Sequence, residues 1–121
     1  MKNFITGLIA GAVLAFGIAY WINNREIRFT SPYQAVLLDD NQVYYGKLSN
    51  STGRFPVLTD VYYIKSGVDQ QTNQTKSVLV KRGKELHAPD RMYLNKEHIV
   101  LIEPVSASSQ VAKLIEQSKN E

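Results

Sequence analysis

Residues Phe4 to Ile22 form an unbroken, uncharged apolar run of nineteen residues, and water offers such a segment few places to fold. As a helix rising ~1.5 Å per residue it spans roughly 28 Å, close to the hydrocarbon thickness of a bilayer. Lys2 precedes the run, and Tyr20 and Trp21 close it with rings that favour the water–lipid interface. A signal peptide carries a shorter apolar region of ~7–15 residues ending in a small-x-small cleavage site. Here the run ends in Tyr-Trp-Ile. The expectation is an uncleaved, single-pass transmembrane α-helix over residues 1–24.

Small residues recur at every fourth position of that run: Gly7, Gly11, Ala15 and Ala19. This spacing lines one side of a helix and lets a second helix approach closely, so these four are the candidate helix-packing residues. Gly and Ala fill seven of the nineteen positions, so the bias of membrane helices towards small residues also accounts for part of the stripe. Lys2 stands on one flank, and Arg25 and Arg28, offset by Glu26, on the other. The expected location is a bacterial cytoplasmic (inner) membrane, with the remaining chain on its outer side.

Beyond the anchor, residues 25–32 read as a linker and 33–105 as one small domain. Residues 106–121 read as a short amphipathic helix and tail, capped by Ser108 or Ser109 and apolar at Val111, Leu114 and Ile115. Net charge is +3, too mild to indicate nucleic acid. The absence of cysteine excludes disulfides, thiol catalysis and thiolate metal sites.

The domain reads as mainly β. Tyr33–Leu38 and Gln42–Leu48 flank a polar turn at Asp39-Asp40-Asn41, and Gly46 inside the second run marks a bend. Val57–Lys65 is dense in Val, Tyr and Ile, and Asp69–Thr75 is a polar loop before Ser77–Lys81. Arg91–Leu94 and His98–Glu103 surround a polar step at Asn95-Lys96-Glu97. Short strands, strong bending and one small core predict a compact barrel of about five strands.

The segment Asn41-Gln42-Val43-Tyr44-Tyr45-Gly46-Lys47-Leu48 resembles the first motif of Sm-like proteins, and Val57-Leu58-Thr59-Asp60-Val61 is similar to that motif's end. Residues Tyr93 to Ile102 resemble the second motif, two hydrophobics, a polar turn and then alternating hydrophobics. The chain also resembles short single-pass bacterial membrane proteins with a Tyr-Gln-Ala-Val start and a Pro-Val-Leu-Thr-Asp strand. The resemblance implies a small Sm-like or SH3-like barrel. RNA-binding members carry an Asn where Phe55 falls and an Arg-Gly where Asn95-Lys96 stands, so nucleic acid is not the implied partner.

Catalytic signatures are absent from the sequence: there is no Gly-rich phosphate loop and no nucleophile elbow. His87 and His98 lack the spacing of metal ligands, and Asp39-Asp40 serves a turn more readily than acid–base chemistry. Lys76, Lys81, Arg82 and Lys84 form the basic cluster, a candidate contact for anionic lipid or an acidic partner and otherwise a solvated strand edge. Tyr33, Tyr44, Tyr45, Tyr62, Tyr63 and Tyr93 divide between core filling and a partner surface. The expectation is a non-enzymatic membrane protein, without cofactor or metal, presenting its barrel as a protein-binding or assembly subunit. Its partners would be the bilayer and other membrane-protein subunits or itself. The rival readings are a homo-oligomeric ring or channel-like assembly and a membrane-tethered nucleic-acid-binding barrel.

Overall fold

Polar turns cut the β-favouring runs into short strands, but one strand outgrows its neighbours and decides the architecture. The computed structural model describes residues 11–19 and 27–121. Residues 11–19 are helical and form α1. The strands are β1 (Gln34–Leu38), β2 (Val43–Ser49), β3 (Val57–Val68), β4 (Thr75–Lys81), β5 (Arg91–Tyr93) and β6 (Ile99–Pro104). A 3-10 turn at Lys96–His98 leads into β6, and helix α2 (Gln110–Lys119) follows. Every strand pairing is antiparallel, in the order β4-β3-β2-β1-β6, with β5 also on β3.

β3 has twelve residues, about 40 Å of extended chain. Its first residues, Val57–Thr59, lie between β2 and β5, whereas from Tyr63 to Val68 it pairs with β4 alone. A bulge divides the halves. Tyr45 faces Tyr62 and Lys47 faces Thr59, so Gly46 opposes two residues, and Asp60 takes a left-handed φ of 52°. A Cβ on Gly46 would stand 2.8 Å from both Leu58 Cγ and the Thr59 carbonyl oxygen, so only glycine lets the strands close here.

Alternation across the bend fills two cores, one on each face of the sheet. Val36, Leu58, Val61 and Leu94 are buried on one face, the inner face, with Leu48, Met92 and Ile102 packed around them. Tyr33, Tyr62, Val105 and Ile115 are buried on the outer face, which α2 covers. Ser109 caps α2 by accepting the Ala112 N–H at 3.1 Å, and Val111 and Ala112 pack beside the fully buried Ile115. Gln34 satisfies its buried amide by donating to the Ser31 carbonyl and accepting the Leu48 N–H.

Two expectations are corrected. The sheet has six strands and is not a closed five-stranded barrel: no ladder joins β6 to β4 or β5 among the described residues. Closure fails because β3 gives its far half to β4, and β5 is only three residues long. The expected N-terminal transmembrane helix is also overturned. No helix among the described residues is long and apolar enough to cross a membrane. The rest of the Phe4–Ile22 run lies outside the described residues.

Candidate functional site

β2 and β3 separate at the sheet's open corner. Their pairing ends at Tyr45 opposite Tyr62, and β3 continues with β4 as a two-stranded ribbon. Residues 64–68 and 75–78 of that ribbon are exposed, including the apolar Ile64, Val68 and Val78. The wedge between the diverging strands is a groove of about 640 Å³ lined by Tyr44, Tyr63, Ile64, Gln42, Arg82 and Glu85.

Register aims the tyrosines. Tyr44 pairs with the buried Val36, so it shares the inner face. Tyr63 is two residues beyond the buried Val61 and shares it too. The Tyr44 and Tyr63 rings meet edge to face, 6.4 Å between centroids, and the Tyr44 hydroxyl donates to Gln42 Oε1. Across the groove, Arg82 Nε donates to Glu85 Oε1 at 3.1 Å while the Gly83 N–H donates to Glu85 Oε2 at 2.8 Å. The Gly83 N–H, then Glu85's own backbone N–H and the Arg82 guanidinium, hold the Glu85 carboxyl down at about 2. The groove is thus lined by an ion-paired arginine and two tyrosines, residue types that dominate binding energy at protein interfaces.

A second cavity of about 410 Å³ lies behind the bend and includes Asp60, Lys81, Arg82, Asp90 and Arg91. Its cations are already paired: Lys81 with Asp60 at 3.4 Å, Arg82 with Glu85, and Arg91 with Asp90 at 3.2 Å. Asp60 is a structural hub. Its carboxylate accepts the Tyr33 hydroxyl and meets Lys81 from β4 and Lys119 from α2, the latter at 3.8 Å. Burial opposes ionisation of Asp60, but the Tyr33 hydroxyl and the Lys81 and Lys119 ammonium groups together prevail and lower its carboxyl below the ordinary value. Burial and the same hydrogen bond raise the Tyr33 phenol.

The basic residues expected to cluster do not converge. Lys76 and Lys81 are five residues apart on β4, so they lie on opposite faces about 16 Å apart. Lys81 and Arg82 are engaged in the ion pairs above, and Lys84 stands in the turn after β4. The neighbour of Lys76 is Lys65, which sequence adjacency does not suggest. Lys65 faces Val78 and Lys76 faces Gly67, a diagonal on one face of the ribbon. Of the tyrosines, Tyr33 and Tyr62 fill the outer core, Tyr44, Tyr45 and Tyr63 are half-buried, and Tyr93 is exposed. Gly11, Ala15 and Ala19 are exposed along α1, and Gly7 lies outside the described residues.

His98 Nδ1 lies 2.6 Å from Asp39 Oδ2, and that hydrogen bond raises the imidazole above its ordinary value. Asp40 accepts the Gln42 N–H and shapes the turn. No group of three or more potential metal ligands occurs among the described residues, His87 and His98 included. Lys96 is tied to the loop that precedes β3: its N–H donates to the Arg54 carbonyl at 3.2 Å, and its Nζ donates to the Thr52 carbonyl at 3.3 Å. No protein-family model matches this chain, and no curated protein matches it.

Proposed function

We propose that the chain is a non-enzymatic, membrane-attached protein that acts as a protein-binding or assembly subunit, and that the groove between β2 and β3 receives the partner. The ribbon above the groove carries this reading. A two-stranded hairpin exposed on both faces is marginally stable in water, and Ile64, Val68 and Val78 lie bare along this one. A partner seated in the groove covers that surface and meets Tyr44, Tyr63 and Arg82. Arg82 and Glu85 neutralise each other, which suits recognition better than acid–base chemistry.

Membrane attachment is supported by the apolar residues 4–22 and by the end of the sheet that the N-terminal chain enters. There the Ile27 N–H donates to Ser51 Oγ, Ile27 and Phe55 are exposed, and the Arg54 guanidinium stands 5.7 Å from the Phe55 ring. Exposed apolar side chains beside a cation suit the headgroup region. The test is a photocrosslinking residue at Tyr44, compared with one at the exposed Glu116 on α2, in native membranes. A discrete protein adduct from Tyr44 alone supports the reading, and its mass separates another subunit from a second copy. Equal adducts at both positions, or none at Tyr44, contradict it.

A further inference from the structure

Resting on the groove as a docking surface, we propose that its occupant is an extended, acidic segment of a partner protein, added as a strand to β3 beyond Tyr62. β2 leaves β3 there, so from Tyr63 to Val68 the alternate backbone N–H and C=O groups on that side have no ladder partner among the described residues. Such an edge accepts an extended chain through main-chain hydrogen bonds, and side chains at every second position supply the selectivity. The inner face of this edge presents Tyr63, Lys65 and Gly67 in turn, about 13 Å from first to last.

Each position specifies its counterpart. Opposite Tyr63, the groove beside Tyr44 takes an apolar or aromatic anchor. Two residues on, Lys65 takes a carboxylate. Two further on, Gly67 has no side chain, and a Cβ built there meets nothing within 4 Å. That gap opens a dent of about 450 Å³ through which Lys76, paired with Gly67 from the far strand, reaches a second carboxylate. Lys65 and Lys76 are exposed, diagonal neighbours of like charge, and neither forms an ion pair among the described residues. Their mutual repulsion works against the free ribbon and is relieved by an acidic partner. Asp69, at the rim of the dent, is occupied in accepting the Gln71 N–H of its own turn. The recognised pattern is therefore an apolar residue and two carboxylates at successive alternate positions. An anionic membrane fits less well, because the ribbon's tip lies the length of β3 from the end where the N-terminal chain enters.

Two synthetic pentapeptides test this against the full chain in detergent micelles by amide chemical-shift titration. Both begin with phenylalanine, and their third and fifth residues are glutamate in one and lysine in the other. The expected result is shifts over residues 63–68 and at Tyr44, with the glutamate peptide bound at least tenfold more tightly. The double variant Lys65→Glu, Lys76→Glu, altered only at exposed positions, inverts that preference. Equal affinity for the two peptides, or a preference unchanged in the double variant, overturns the proposal. So does a titration in which phosphatidylglycerol vesicles shift Lys65 and Lys76 and the glutamate peptide does not. If Tyr44 crosslinks persist while the peptides fail, the docking surface stands and only its acidic occupant is lost; if the Tyr44 crosslinks fail as well, both fall.

Discussion

Asp60 holds a backbone conformation that few side chains adopt, and its carboxylate joins Tyr33, Lys81 and Lys119 at the point where β3 bends. Gly46 is its complement on β2, because the bulge brings the Leu58 side chain and the Thr59 carbonyl where a Cβ would stand. Replacing Gly46 by Ala forces backbone to move in a close-packed bend, and we expect a loss of about 1–3 kcal/mol in denaturant unfolding. A variant as stable as the parent would show that the strands do not close this tightly. A second residue-scale prediction concerns His98. Its hydrogen bond to Asp39 raises the imidazole, so the added stability is fully present below about pH 6.5 and fades as pH rises through the raised value. Asp39→Asn is expected to return the His98 titration, followed by NMR, towards its ordinary value. An unmoved titration would remove Asp39 as the cause.

At the scale of elements, α2 is a short helix held by one fully buried side chain. Ile115→Ala is expected to cost about 2–5 kcal/mol and to expose Tyr33 and Tyr62, read by unfolding and tyrosine fluorescence. A cost below 1 kcal/mol would mean that Asp60 and Lys119 hold the helix without that packing. The apolar pattern of this helix is legible in the sequence because it repeats the 3.6-residue period of burial, while the cap is legible only as Ser108 or Ser109, of which the helix uses Ser109. β3 was legible only to Lys65. Beyond it the strand is exposed on both faces, so pairing with β4 continues through Ser66–Ser77 and Gly67–Lys76 without any hydrophobic alternation to announce it. The polar stretch from Asp69 is a tight turn in which the Asp69 N–H donates to the Gln74 carbonyl. Polar composition therefore concealed the flanking strand ends.

The whole molecule follows from that overlong strand. Turns and alternation identify strands locally over β2, the start of β3 and β6, but neither reports what the far half of β3 pairs with. The strands themselves therefore imply closure, whereas the open corner depends on pairing that no local pattern encodes. The site was half legible. Tyr44 and Tyr63 stood out as aromatic candidates, yet proximity in sequence grouped Lys76 with Lys81, which the two-residue period sends to opposite faces. Lys65, eleven residues from Lys76, became its neighbour only through hairpin register.

On the proposed reading, a partner covers the β3–β4 ribbon and the groove at its base. Amide hydrogen exchange of the full chain, in native membranes and again after purification in detergent, tests it most directly. Residues 63–68 are expected to exchange at least tenfold more slowly in native membranes than in detergent, while amides of β1, buried in the sheet in both states, are unchanged. Equal exchange of residues 63–68 in the two states would contradict it.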